Sequence, residues 1–334
     1  TCSNVEMIGI LPPRRTASQN AFNLLYKGVD VYRSTGYYQN FSDAHNLMSY
    51  RHTRAHNSLL LNGIGQPYST EGYGSVMRAM GGQHISYCLG DASHAYRGIS
   101  NDPMWVGYFK QAGIEQTPEN GFGATPLTKY RRHVLMLHPH TVIVYDELEA
   151  SEAVRWEWLL HSPTEFKMDA TKKTLSTNNK TKGWVAVTQL FGGHVFTLSQ
   201  TDRFVVPPAI TGAEYPNQWH LTARVDGCSA TRFLAIIQVG DEAVSIINRD
   251  GDTFNVGDWT VKAVLDASKA PELTVSHRTE QAVFSYGTDN PALNGNFYSR
   301  QYTGSSLLYD EIDGVYQVVE MTDRSPISTR VVNQ

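Results

Sequence analysis

The chain has 334 residues, of which 41% are hydrophobic and 18% charged, with 18 Tyr, 12 Phe, 6 Trp and 27 Gly. This composition excludes a disordered chain, a coiled coil and a long-helix protein, and it is typical of an aromatic-rich β protein. The 28 Lys and Arg against 32 Asp and Glu give a net charge of -4, so no nucleic-acid or anionic-membrane partner is expected, and a polyanionic ligand would need a local basic patch.

The chain carries few helix signals and many strand signals. One short helix is predicted at residues 42–49, with Ser42 or Asp43 as its N-cap. Runs of β-branched and aromatic residues predict strands at 132–137, 141–145, 154–160, 184–190, 194–198, 232–239, 243–248, 259–265, 282–286 and 314–321. His138-Pro139-His140 predicts a hairpin turn between the first two. Strands spaced so regularly favour an all-β fold, a large antiparallel β-sandwich, over alternating β and α units.

Strands become shorter and turns more frequent after Gly240. We therefore expect a β-sandwich domain at residues 1–240 and a smaller C-terminal β-sheet region at residues 241–334. Residues 100–129 are rich in Gly, Pro, Asn and Gln and show little periodicity. A connection of that length is either a functional loop or a surface excursion, and the sequence favours neither.

The motifs of several enzyme classes are absent from the sequence. Cys2, Cys88 and Cys228 have neither CxxC nor zinc-finger spacing, and no HExxH, GxSxG, P-loop or Rossmann glycine pattern occurs. A metalloprotease, a serine hydrolase and a nucleotide-dependent enzyme are therefore not indicated. The apolar runs have strand length and are too short to span a bilayer.

Three carboxylates, Asp146, Glu147 and Glu149, follow the strand pattern at 141–145. A glycosidase needs two carboxylates facing each other across a sugar, and sequence spacing does not show such a separation. We interpret these residues as a solvated strand end.

Polar side chains suited to an acidic sugar concentrate between residues 19 and 62. Arg and Asn side chains bind carboxylates, and Tyr or His side chains move protons. The set comprises Asn20, Tyr37, Tyr38, His45, Tyr50, Arg51, His52, Arg54, His56 and Asn57. Residue type leaves a second interpretation open, in which the two adjacent tyrosines are strand aromatics and His56 is a satisfied core histidine. In that interpretation Arg51 and Arg54 are exposed strand residues.

A series of short blocks occurs in a fixed order between residues 5 and 240. The blocks are Gln19-Asn20-Ala21-Phe22, Gly36-Tyr37-Tyr38, the run from Tyr50 to Asn57, Leu59-Leu60-Leu61-Asn62-Gly63, Gly90-Asp91-Ala92, Arg131-Arg132-His133-Val134, Tyr145-Asp146-Glu147-Leu148-Glu149-Ala150 and Trp158-Leu159-Leu160-His161. In this order they resemble the β-sandwich half of heparinase II/III-like and exo-type alginate lyases. The resemblance implies the large β-sandwich of these lyases, and the ordered series is more specific than any one block.

The resemblance also implies β-elimination in a 4-linked uronic-acid polysaccharide, either alginate-like or glycosaminoglycan-like. Removal of the C5 proton creates an enolate-like dianion beside the carboxylate, so the site must neutralise that carboxylate with Asn, His or Arg donors. A Tyr or His acts as the base, and a Tyr acts as the acid toward the leaving oxygen. For this chain the resemblance suggests Tyr37, Tyr38 or Tyr50 for proton transfer, His45 and His56 near the carboxylate, and Asn20, Arg51 and Arg54 as contacts to the anionic sugar.

The sequence does not match the zinc site of the families it resembles. Those families have a His-x-His-x-Asp-Gln-Asn run where this chain has Arg14-Arg15-Thr16-Ala17-Ser18-Gln19-Asn20, and an Asp where this chain has Ser34. Of the zinc ligands that the resemblance implies, only His56 remains. Because a structural zinc takes about four ligands, we expect no zinc and no other cofactor.

The cleft of these families lies between an N-terminal α/α toroid and the sandwich, and this chain shows only the sandwich half. If it is an enzyme, we expect the toroid to be a separate chain or the cleft to be completed by a homo-oligomer. A polysaccharide lyase is the leading hypothesis, and a non-catalytic carbohydrate-binding or structural sandwich is the alternative. Uronate polysaccharides are extracellular, so we expect a secreted or periplasmic location.

Overall fold

The computed structural model describes residues 5–8, 17–69, 71–171, 173–241, 245, 247–293, 296–323 and 328–331. Most regular elements in these ranges are strands, which confirms the predicted all-β fold. The strands are β1 (Val5–Ile8), β2 (Asn23–Tyr26), β3 (Val29–Tyr32), β4 (Leu59–Leu61), β5 (Tyr73–Gly81), β6 (Ile85–His94), β7 (Leu127–Leu137), β8 (Thr141–Ser162), β9 (Lys167–Asp169), β10 (Thr174–Asn179), β11 (Trp184–Gly192), β12 (Thr197–Thr201), β13 (Trp219–Gly240), β14 (Ile247–Asp250), β15 (Thr253–Val256), β16 (Trp259–Ala263), β17 (Leu273–His277), β18 (Val283–Tyr286), β19 (Ala292–Leu293), β20 (Asn296–Phe297), β21 (Ser306–Ile312), β22 (Val315–Met321) and β23 (Ser328–Val331). The described helical elements are α1 (Pro103–Gln111) and short turns at Asn46–Tyr50, Thr53–Ala55 and Pro118–Asn120.

Two large antiparallel sheets form the layers of the sandwich. The first sheet has the order β5-β6-β7-β8-β13-β11-β10-β9, with β4 paired to β8 and β12 paired to β13. The second sheet has the order β14-β15-β16-β17-β18-β21-β22-β23. Two small sheets, β1-β2-β3 and β19-β20, complete the described pairings. The predicted antiparallel β-sandwich is therefore confirmed.

The two longest strands, β8 and β13, run side by side within the first sheet. Their register extends from Thr141 opposite Gln238 to Ser162 opposite Trp219. Residues 233–237 are all apolar, and this part of β13 is buried on both faces of the sheet. Residues 233, 235 and 237 pack in one hydrophobic core, and residues 234 and 236 pack in the core on the other face. The apolar run that predicted a strand thus marks the centre of the molecule.

The second sheet packs on the first through a shared apolar core. Leu135 of the first sheet belongs to the same buried cluster as Phe254 and Val261 of the second. The last strand of the first sheet ends at Gly240 and the second sheet begins at Ile247. The chain therefore changes sheets at the predicted boundary, while the shared core joins the two parts, and the division into two domains stays a prediction.

Several predicted elements can be compared with the structure directly. The hairpin around His138-Pro139-His140 is the exposed turn between β7 and β8, as predicted. The strand predicted at 243–248 lies partly outside the described residues. The helix predicted at 42–49 is a π-helical turn at Asn46–Tyr50, and the Asp43 carboxylate accepts the backbone N–H of Asn46 at 2.7 Å.

The segment 100–129 contains the helix α1, which begins after Asp102. The Asp102 carboxylate caps the helix by accepting a backbone N–H of its first turn, and Trp105 and Phe109 are buried beneath it. Phe41 stacks on Trp105 with ring centroids 5.4 Å apart, so α1 packs against the segment that carries the candidate site residues. Within the described ranges, no helix has the length and apolarity needed to cross a membrane.

The predicted solvated strand end at Asp146 and Glu147 is wrong. Both side chains are 1% exposed, because they lie within the long strand β8 rather than after its end. Asp146 is paired with Arg132, and Glu147 with His133, both on the neighbouring strand β7. Glu149 is exposed, as predicted.

Candidate functional site

Gly36 sets the course of the segment that carries most candidate side chains. Its φ of +85° lies in the left-handed region that favours glycine. A Cβ at this position would lie 2.8 Å from Tyr50 Cα and 2.9 Å from the Ser49 carbonyl oxygen. The glycine therefore lets the chain pass directly against the π-helical turn and brings residues 37 and 38 beside it.

Tyr37 and His45 hold each other and a distant loop in place. The backbone N–H of Tyr37 donates to His45 Nε2 at 3.1 Å, and His45 Nδ1 donates to the Val206 carbonyl at 2.6 Å. The Tyr37 hydroxyl donates to the Pro216 carbonyl. Burial lowers the pKa of His45, so its imidazole is neutral with both nitrogens engaged. Tyr37 and His45 therefore hold residues 204–216 against this segment, and the Tyr37 hydroxyl and both His45 ring nitrogens are already hydrogen-bonded within the protein.

Tyr38 lies on a more open surface than Tyr37, and Tyr50 is half-buried beside it. Tyr38 is 53% exposed, and its ring centroid lies 6.3 Å from that of Tyr50. The Arg51 guanidinium lies 5.7 Å from the Tyr38 ring centroid and 5.9 Å from that of Tyr50, and it packs further on Phe41 and Trp105. Arg51 is thus enclosed by aromatic rings rather than exposed on a strand. This cluster places two phenols and one guanidinium together.

Asn20 and His56 are anchors in the interior. The Asn20 side-chain amide donates to the carbonyls of Gly90 and Tyr130 at 3.2 and 3.3 Å. His56 is buried, and its Nδ1 lies 2.8 Å from Ser34 Oγ. Burial lowers the pKa of His56 to about 4, so it is a neutral core histidine at pH 7.

The surroundings of His56 do not fit a zinc ion. Its nearest side-chain partner is a serine hydroxyl, whereas structural zinc sites use Cys, His, Asp or Glu ligands. Within the described ranges no three His, Cys, Asp or Glu side chains come together in a way that could hold a metal.

Arg54 is a mostly buried cation at the wall of two pockets. Its Nη2 donates to the Asn120 carbonyl at 2.8 Å, and its Nε donates to His52 Nδ1 at 3.1 Å. Burial lowers its pKa, and it forms no ion pair with a carboxylate among the described residues. Arg54 is in a 3-10 turn and partly enclosed, so the interpretation as an exposed strand residue is wrong.

The two pockets adjoin each other and share Arg54, Leu60 and Val205. The smaller pocket has a volume of about 130 Å³, and its walls include Arg54, His161, Arg203, Phe204, His220 and Thr222. The larger, more open groove has a volume of about 520 Å³, and its walls include Arg54, Asn62, Gly63, Glu119 and Arg155. The pair therefore joins a narrow recess to a groove wide enough for a sugar ring.

Positive charge is concentrated around these pockets. Arg54, Arg155 and Arg203 contribute guanidinium groups, whereas Glu119 is a carboxylate on the wall and Glu157 is paired with Arg155 at 3.3 Å. In a chain with a net charge of -4, this is the kind of local basic patch that an acidic ligand requires.

His161, Arg203 and His220 were not among the site residues predicted from the sequence. His161 and His220 face each other because β8 and β13 pair in this register, and Arg203 lies just after β12. Their positions share no sequence motif, so only the strand pairing brings them together. The block from Trp158 to His161 was the one signal that pointed to this part of the chain.

A sequence model described as Heparinase II/III-like, C-terminal, matches residues 9–222. This range covers more than half of the chain and includes Arg54, Arg203 and His220. The chain belongs to the heparinase II/III-like family. Membership confirms the resemblance seen in the ordered blocks.

Solved heparinases share the fold of this family member. The heparinase III BT4657 gene product has a TM-score of 0.57 at 13% identity, over 84% of this chain and 38% of its own. Heparan sulfate lyase HepC from Pedobacter heparinus has a TM-score of 0.55 at 13% identity, over 89% and 40%. A further heparinase III has a TM-score of 0.53 at 14% identity, over 86% and 36%. The chain thus spans 36–40% of the length of these structures, and no curated protein matches it.

Proposed function

We propose that this chain is the β-sandwich part of a polysaccharide lyase that cleaves a 4-linked uronate polysaccharide by β-elimination. Family membership supports the lyase class. The observation that carries the choice of an acidic substrate is Arg54, a mostly buried guanidinium without a carboxylate partner in the described structure, at the wall shared by two pockets. One structural relative is a heparan sulfate lyase, so heparan sulfate is the first substrate to test, with alginate and hyaluronan beside it.

The side chains of the site suit the two demands of β-elimination. A cation beside the uronate carboxylate stabilises the negative charge that develops when the C5 proton leaves, and Arg54 supplies it. A phenol then moves a proton to or from the sugar, and Tyr38 and Tyr50 are freer for this than Tyr37, whose hydroxyl is bound to Pro216. Both lie beside Arg51 and outside the walls of the two pockets. A helical toroid, or a second copy of this chain, would cover the open side of the groove. Since such polysaccharides lie outside cells, we expect a secreted or periplasmic location.

Release of unsaturated product tests this function. The purified chain is incubated with each polysaccharide while ultraviolet absorbance of the new double bond is followed. We expect Tyr50→Phe to reduce the rate by about 100-fold or more, since a general acid or base contributes at least that much. Tyr302→Phe removes an exposed tyrosine hydroxyl from the bend before β21 and serves as the control. Equal rates in both variants would contradict the role of Tyr50.

A non-catalytic carbohydrate-binding role is the second candidate. It is favoured by His45 and His56, whose ring nitrogens are all within reach of protein partners and unavailable for proton transfer as they stand. Binding of an acidic polysaccharide without any unsaturated product, by the native assembly as well as by the isolated chain, would support this role and contradict the lyase proposal.

A further inference from the structure

The smaller pocket has a volume of about 130 Å³, a quarter of the 520 Å³ of the adjoining groove, and Arg54, Arg203 and His220 are among its walls. We propose that it is a subsite for a single anionic group of the polysaccharide, a sulfo group or a carboxylate, bound by Arg54, Arg203 and His220. This inference rests on the proposed function, since the ring that carries the group would lie in the adjoining groove.

Arg54 provides the main reason to expect an anion. A cation removed from water is costly unless a counter-charge or hydrogen bonds compensate it. Arg54 has only the Asn120 carbonyl and the His52 ring as described hydrogen-bond partners. The Glu157 carboxylate, which is paired with Arg155, raises the pKa of Arg54 through its charge but forms no described ion pair with it, so a bound anion would supply a counter-charge in direct contact.

His220 is the second reason, because it lines the same pocket and one of its polar atoms has no partner in the described structure. Its Nε2 is buried and has no hydrogen-bond partner in the described structure, while its Nδ1 lies 3.4 Å from the Thr35 hydroxyl. The Thr35 hydroxyl also lies 3.4 Å from the Ala55 carbonyl, so either tautomer of His220 fits the protein. A bound anion would select the tautomer with the proton on Nε2, which donates to it. Burial lowers the pKa of His220 to about 4, so this donor is uncharged at pH 7.

Arg203 completes the subsite at its mouth. It is exposed and forms no ion pair within the described ranges, so its guanidinium is available to a ligand. The neighbouring Asp202 carboxylate accepts a hydrogen bond from Asn217 Nδ2 at 3.0 Å. Phe204 and Leu159 form apolar walls, and charge interactions are stronger beside such walls than in open water.

Calorimetric binding to three forms of one polysaccharide tests the subsite. The forms are heparan sulfate, the same chain after desulfation, and the same chain after reduction of its carboxylates. We expect Arg203→Ala and His220→Gln each to weaken binding about tenfold, or about 1.4 kcal/mol, but only to forms that retain the recognised group. Arg278→Ala removes the same charge from an exposed site on the second sheet and should leave binding unchanged.

The pattern of losses identifies the group and separates the two proposals. If the effect of Arg203→Ala disappears with the desulfated chain, the group is a sulfo group, and if it disappears with the reduced chain, the group is a carboxylate. An unchanged affinity, or equal weakening with all three forms, overturns the subsite while leaving the proposed function intact. No binding of the unmodified chain to heparan sulfate, alginate or hyaluronan contradicts the proposed function itself. Arg203 is exposed, so its variant decides the question even if His220→Gln fails to fold.

Discussion

Arg132 shows how a single buried charge ties the candidate segment to the sandwich. Its side chain is completely buried and binds both Asp146 carboxylate oxygens at 2.7 and 2.8 Å. It also donates to the carbonyls of Asn20 and Asn57 at 2.7 and 2.6 Å. One guanidinium thus fixes residues 20 and 57 to the first sheet, and these two positions frame the segment that carries the site.

We therefore expect Asp146→Ala to be strongly destabilising. It leaves the Arg132 guanidinium buried without its counter-charge, which typically costs about 3–5 kcal/mol of unfolding free energy. Urea denaturation measures the difference. Asp226→Ala removes an exposed carboxylate from a pair with Arg224 and should cost less than about 1 kcal/mol. If both variants lose similar amounts of unfolding free energy, the buried Arg132–Asp146 pair stabilises the fold no more than the exposed pair does.

At the scale of elements, a buried polar chain links the two sheets. The Ser306 hydroxyl of β21 donates to the Tyr87 hydroxyl, which lies 3.0 Å from His133 Nδ1. His133 Nε2 in turn lies 2.9 Å from Glu147 Oε1, which also accepts the hydroxyl of Tyr286 on β18 at 2.9 Å. Hydrogen bonds of fixed geometry therefore hold β6, β7 and β8 in one register against β18 and β21.

These buried hydrogen-bonded side chains make the free energy of unfolding depend on pH. Burial by itself raises the pKa of Glu147, but the hydrogen bond from His133 and the charge of Lys129 outweigh it and hold that pKa well below its usual range. Burial lowers the pKa of His133 against the opposing effect of Glu147. As the pH falls, the unfolded chain therefore binds protons before the folded chain does, near pH ~6.5 at His133 and near pH ~4.3 at Glu147. The contribution of both groups to the free energy of unfolding is complete above these pH values and decreases below them.

We expect Glu147→Gln to flatten this dependence. The variant loses stability at pH 7, and its difference from the unmodified chain shrinks as the pH falls below about 5 toward the lowered pKa of folded Glu147, because the glutamine does not titrate. Urea unfolding at several pH values measures the effect. Glu280→Gln changes an exposed carboxylate and should leave the pH curve unaltered. Parallel curves for Glu147→Gln and the unmodified chain would exclude this carboxylate as the source of acid sensitivity.

At the scale of the whole molecule, the two sheets form one sandwich even though the chain completes the first before it starts the second. Leu234 and Ile236 of β13 pack in the same core as Phe284 and Leu308 of the second sheet. Arg232 adds polar contacts by donating to the carbonyls of Val264, Asp266 and Lys269. The layers therefore depend on each other for burial of their inner faces.

A fragment ending at residue 240 tests the proposed division into two domains. Because it exposes the inner face of the first sheet, we expect it to lack a cooperative thermal transition and to bind a hydrophobic dye. The full chain, measured in parallel, should unfold in one sharp transition. A fragment with its own sharp transition would establish residues 1–240 as an independent domain.

The sequence by itself determined the fold class and the family. Alternating and continuous apolar runs specify strands because they report burial on one or two faces, and this information is local. The ordered blocks from Gln19 to His161 identified the family for the same reason, since each block can be seen without knowing what it touches. The hairpin at 138–140 followed from its turn residues.

Only the tertiary structure decided which polar side chains reach a ligand. Asp146 and Glu147 were predicted to be a solvated strand end, but both are buried. Arg203 and His220 were not predicted as site residues, but both line a pocket. The physical reason is that burial and charge pairing depend on strand register, which joins residues far apart in the chain. Residue type predicts what a side chain can do, and packing decides whether it faces a counter-charge, a core or an open groove.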